Sequence, residues 1–245
     1  MLKVRSDDRV DGAETLDIVV RGHFAQILSI NGVTAKTILA RFKDALPASR
    51  CQFDRKGRGD ALNIDLYAHD RKQDVAIVQI RQAYRRGATH FLSLRKTYAL
   101  VGHTETAAPF RHPVSPTAVR KSIRANPKDP SAGVAAAQRW IWRCTDKQLK
   151  ESLAAGMRQG DVLLVRAHEP KNGVDVGGGF TVGGSHEIRA NRVVQTPDGG
   201  VFALNPTLVH AKNQHAPVYA DTDGWYSVRA GREEPAWDFS QRFGD

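Results

Sequence analysis

Gln159-Gly-Asp-Val-Leu-Leu-Val165 divides the chain into two kinds of sequence. Asp161 to Val165 reads as a strong strand entered through a glycine turn at Gly160. From there on, short apolar runs alternate with Gly-rich turns. Val193-Val194, Val201 to Leu204, Pro217 to Tyr219 and Trp225 to Val228 are the further short strands. Turn signals lie at Pro197-Asp-Gly-Gly200 and Asp221-Thr-Asp-Gly224. Short strands at this spacing predict a small β-barrel or sandwich-like domain over residues 158–245. The tract Gly173 to Gly184 fits a sharp hairpin with bulges, because glycine-rich strands occur at barrel corners.

Upstream the pattern is mixed. Leu16 to Val20 and His23 to Ile30 read as strands joined at Arg21-Gly22. Thr34 can cap a helix to Leu46, with Ile38, Leu39, Phe42 and Leu46 on one face and Pro47 as its stop. Leu62 to Tyr67 alternates apolar and polar residues, as a half-buried strand does. Asp74 to Arg86 reads as a second helix, placing Ile77, Ile80 and Tyr84 inward with Gly87 past its end. Thr89 to Leu94 and Tyr98 to Val101 read as two strands. Residues 1–108 thus form an α+β module. Residues 109–157 read as a basic helical connector, because Pro109, Pro113 and Pro116 disfavour both helix and central strand. Short helices are expected at Thr117 to Arg124, after Ser131, and from a Thr145–Gln148 capping box to Gly156. The predicted fold class is α+β: module, helical connector, β-domain.

The 245 residues are 41% apolar, enough for a packed core. No apolar run is long enough to span a bilayer. The N-terminus lacks the apolar stretch of a secretory leader. Cys51 and Cys144 are too few for a disulfide framework or a Cys-based zinc site, so both are expected reduced. These features predict a cytoplasmic protein with no membrane partner.

The net charge of +10 is concentrated. Ten Lys or Arg but a single acid, Glu105, lie between Arg81 and Lys128. Such an excess attracts polyanions, of which nucleic acid is the commonest and RNA the preferred expectation here. Arg81, Arg85, Arg86, Arg95, Lys96, Arg120, Lys121 and Arg124 are the candidate phosphate contacts. In Arg139-Trp-Ile-Trp-Arg143, residues two apart do not share a helix face. One Trp is therefore core, and Trp142 is assigned to base stacking.

Three histidines carry the candidate chemistry. His186 stands in Val182-Gly-Gly-Ser-His-Glu187, and His210 and His215 in Leu208-Val-His-Ala-Lys-Asn-Gln-His215. Pro206 and Pro217 place the latter two on a loop. Strand alternation puts Glu187 and Arg189 together on one face and His186 on the other. With Tyr226 and with Lys212 as the cation, the histidines make a workable acid/base set for metal-free RNA scission. With zinc as cofactor, the same three imidazoles make an open three-His metal site of a hydrolase. The compact His-Glu-x-x-His signature is missing, as are a P-loop and a dinucleotide fingerprint. Three function classes follow: a nucleic-acid-binding protein that cleaves without a cofactor, a metal-dependent hydrolase or metal-binding protein, and a non-catalytic adaptor binding a protein partner in a bacterial or phage assembly.

Overall fold

The computed structural model describes residues 35–47, 51–53, 59–85, 92–104, 107–212 and 215–232. The strands expected at 16–30, the residue Arg86 and the tail beyond 232 lie outside them.

Helix α1 (Ala35–Arg41) and a 3-10 turn (Lys43–Ala45) bury Ile38, Leu39, Phe42 and Leu46, the face the sequence predicts. They cover an antiparallel five-stranded sheet, β1 (Cys51–Phe53), β2 (Gly59–Asp70), β3 (Val75–Arg85), β4 (Leu92–His103) and β5 (Pro109–Val114), paired in sequence order. Two expectations are corrected here. The segment expected as a helix from Asp74 is strand β3. Its Ala76, Val78 and Ile80 face the α1 core, while Val75 and Ile77 face a second core on the other side. A strand buried on both faces carries a continuous apolar run, and β-branched Val and Ile favour it. The helical spacing of Ile77, Ile80 and Tyr84 is a by-product of that run.

The second correction concerns Pro109 to Val114, which is not a linker but the edge strand β5 on β4. Pro109 and Pro113 occupy alternate positions, which send their missing N–H groups to the same edge. A free edge tolerates that loss. The two strands expected on either side of Arg95 are likewise one strand, β4.

Three helices form the middle layer: α2 (Pro116–Ala125), α3 (Ala132–Trp142) and α4 (Asp146–Ala154). The Thr145–Gln148 capping box is present in both arms. These helices bury Val119, Val134, Ala137, Ile141, Trp142 and Leu149 against the sheet. No helix among the described residues is long and apolar enough to cross a membrane.

The C-terminal strands are β6 (Arg158–Gln159), β7 (Val162–Ala167), β8 (Val174–Val182), β9 (His186–Gln195), β10 (Val201–Leu204), β11 (Thr207–His210), β12 (Val218–Tyr219) and β13 (Trp225–Ala230). They form a nearly closed, barrel-like antiparallel sheet ordered β12-β11-β9-β10-β13-β7-β6, with β8 on β9. The Asp161 to Val165 run is buried on both sides of β7: Leu163 and Val165 join the helical layer, and Val162 and Leu164 fill the barrel. Full burial of each such side chain contributes about 1.5–3 kcal/mol. This strand therefore fastens the two sheets into one body.

β10 and β11 run in one register along β9, from Val201 opposite Gln195 to His210 opposite His186. Between them Asn205 adopts a left-handed φ of 53°. Asn is among the few residues that visit that region routinely. The main chains of Asn205 and Gly224 are joined by a hydrogen bond, and the Asn205 side chain accepts a second from the Gly224 N–H. This bend lets β10 pair with β13 and β11 with β12.

Trp142 is sealed in the core, with its indole N–H donating to the Asp161 carbonyl at 2.7 Å. Trp140 is only partly buried, with the Arg232 guanidinium over its ring. Trp142→Ala is expected to destabilise the protein by about 3–5 kcal/mol, the range for large buried aromatics. Trp140→Ala should lose far less. Urea unfolding of both variants checks this; equal losses would contradict the assignment.

Candidate metal centre

The β9–β11 register sets His186 and His210 directly opposite each other across the strand pair. His210 is therefore a strand residue, which corrects the loop placement inferred from the flanking prolines. Pro206 sits just before the first residue of β11, where the ladder needs no donor from it. His215 is on the loop before β12, as expected. Gln159, buried in β6, donates to the carbonyls of Ala216 and Leu208. It thereby ties the His215 loop and β11 to the β6–β7 hairpin across the barrel seam.

The three rings converge. The His186 and His210 centroids are 4.9 Å apart and perpendicular, His210 and His215 lie at 5.0 Å, and His186 and His215 stack at 6.0 Å. One nitrogen from each falls within 4.8 Å of the other two. A tetrahedral zinc site with bonds of about 2.0–2.1 Å has ligand nitrogens roughly 3.3 Å apart, so the rings would draw closer on holding such an ion. His186 and His210 are buried, and His215 is partly exposed, so the cluster meets solvent at the loop.

The turn of the β6–β7 hairpin forms the floor. A Cβ built on Gly160 would stand 3.2 Å from Nε2 of both His186 and His215. Gly160 also has a left-handed φ of 56°. The absent side chain leaves a cradle onto which two imidazole nitrogens point. Behind His186, Nδ1 is 3.2 Å from the Ser185 hydroxyl and 3.6 Å from a carboxylate oxygen of Asp161. On His210, Nδ1 accepts the Lys212 main-chain N–H at 3.2 Å. His210 is thus the ring whose proton has to move if its Nε2 is to be a ligand.

Glu187 and Arg189 pair with each other at 2.9 Å on the face opposite His186, as alternation predicts. Lys212 reaches the cluster through its main chain, while its side chain is exposed. Tyr226 is not part of the site, which corrects its assignment as a catalytic residue. It pairs with Arg166 at the far end of β7 from Gly160, and its buried hydroxyl donates to Asp221 at 2.6 Å. Burial raises its phenol pKa, with the Asp221 carboxylate adding to the effect.

Of the basic candidates, Lys96, Arg120, Lys121 and Arg124 are exposed, the last three on α2. Arg120 packs over Tyr98 and donates to its hydroxyl. Burial, first, pushes that phenol up to about 12. Arg81, Arg85 and Arg95 lie on β3 and β4, with Arg81 in register opposite Lys96. The buried Trp142 offers no face for base stacking, so that assignment is corrected too.

Gly160, Asp161 and Gln159 are the site residues that sequence reasoning does not single out. Gln159-Gly-Asp is visible as a turn, but no spacing rule links it to histidines beyond the intervening strands. No known protein family matches the chain, and neither does any curated protein or solved structure.

Gly160→Ala is expected to lose about 1–2 kcal/mol from its left-handed backbone alone. The intrusion on two imidazoles adds to that. Gly183 also has a positive φ, but nothing lies within 4 Å of its added Cβ, so Gly183→Ala reports backbone strain only. Thermal unfolding and imidazole NMR shifts should show the larger loss, and displaced His186 and His215 signals, in Gly160→Ala alone.

Proposed function

We propose that the protein is a metal-dependent hydrolase whose metal ion is held by His186, His210 and His215. The observation that carries this reading is the convergence of three imidazole nitrogens within 4.8 Å of one another, those of His186 and His215 lying beside Gly160. The donor set is all nitrogen, which suits zinc and its late first-row neighbours. Three protein ligands leave a fourth position for water or substrate, the arrangement of catalytic rather than structural zinc. When bound, such an ion supplies Lewis acidity toward that water or a substrate oxygen. The chain's own part is to hold two imidazoles on paired strands and to bring the third from a loop open to solvent.

Titration of the purified protein with Zn(II) or Co(II) is expected to show one ion per chain. Binding should disappear in a His210→Ala/His215→Ala double variant. Ion at 100 times its Kd should stabilise the fold by about 2.7 kcal/mol. Absence of binding, or binding that survives the double variant, overturns the reading.

A second reading, RNA binding, is favoured by the exposed cations Arg120, Lys121 and Arg124 along α2, with Lys96 on the adjoining strand. Nucleic acid bound there would be held through phosphates. Its affinity would fall steeply with salt. In fluorescence anisotropy, Lys121→Ala and Arg124→Ala should each lower the log–log salt slope by about 1. Salt-insensitive or undetectable binding to single-stranded RNA counts against this reading. Scission that persists in EDTA would return the histidines to acid/base chemistry.

A further inference from the structure

We propose that Asp161 is the positioning carboxylate of the centre, orienting His186 so that Nε2 is its ligand atom. This inference rests on the metal reading above. Metal-bound histidines characteristically present their second ring nitrogen to a carboxylate or another acceptor, which fixes the tautomer and raises the basicity of the ligating nitrogen. His186 has that arrangement. Its Nδ1 faces the Asp161 carboxylate at 3.6 Å and the Ser185 hydroxyl at 3.2 Å, while its Nε2 points over Gly160 beside that of His215. At 3.6 Å the carboxylate is within ion-pair range but beyond a good hydrogen bond. It therefore acts on His186 chiefly through its charge, with the hydroxyl completing the contact.

The carboxylate adjacent in sequence does not compete, because Glu187 faces outward to Arg189. The Asp161 side chain is also separable from the structural role of its residue. The Asp161 carbonyl takes the indole N–H of Trp142 and the main-chain N–H of Gly231. Both contacts survive substitution of the side chain. The carboxylate itself is 41% exposed, so its removal opens no core cavity.

The test compares wild type, Asp161→Asn, Asp161→Ala and Ser185→Ala by Zn(II) and Co(II) titration, with thermal unfolding of each metal-free protein. Asn keeps the shape and turn propensity of Asp but removes the charge. Both Asp161 variants are expected to unfold like wild type without metal. They should bind one ion 10–100-fold more weakly, the usual effect of losing an orienting partner. The Co(II) absorption bands should shift with them, which a purely structural role would not produce, and Asp161→Glu should recover part of the affinity. Wild-type affinity in Asp161→Asn overturns this inference and leaves the metal centre standing. So does a loss confined to Ser185→Ala, which would make the hydroxyl the orienting group. A wild-type protein that binds neither ion overturns both.

Discussion

The two-residue turn Gly160–Asp161 anchors the fold. Its carbonyls and Cα are committed in four directions. The Gly160 carbonyl accepts from the Arg158 side chain, and the Gly160 Cα lies under His186 and His215. The Asp161 carbonyl accepts from Trp142 of the helical layer and from Gly231 after β13. A tight hairpin needs a positive φ, and only glycine enters it without a side chain that would fill the imidazole cradle. One turn thus joins the middle helices, the end of the last strand and the candidate metal centre.

Two-sided burial does the remaining assembly. β3 carries one core on each face, and so does β7. Such strands need an apolar layer on each side, so they hold the layers that cover them together. β7 fixes the hairpin turn, and the bend at Asn205 fixes the register that sets His210 against His186. The site is the meeting point of these two devices at the seam of the barrel, where Gln159 bridges β6 to β11 and to the His215 loop.

Periodicity was readable where an element has one buried face or an explicit cap. Helix α1, the Thr145 capping box, the strand from Asp161 and the outward Glu187–Arg189 pair are of this kind. It misled where both faces are covered, as in β3, and where the exception to a rule depends on sheet position, as for the prolines of edge strand β5. The same limit separated Trp142 from Trp140: helix geometry says that only one is core, but which one depends on what packs against α3. Tyr226 has the chemistry of a site residue, but the β13–β7 register places it at the wrong end of the strand.

The residue types with coordinating chemistry, the α+β class and the β-rich C-terminal part are legible in the sequence, because they follow from side-chain chemistry and local periodicity. The sequence nominated His186, His210 and His215 without saying whether they meet. Folding brings them together, sets Gly160 beside two of them and puts Asp161 rather than Glu187 behind His186. Those facts depend on strand register and on closure of the barrel seam. Both are set by pairing between segments far apart in the chain, which no local pattern encodes.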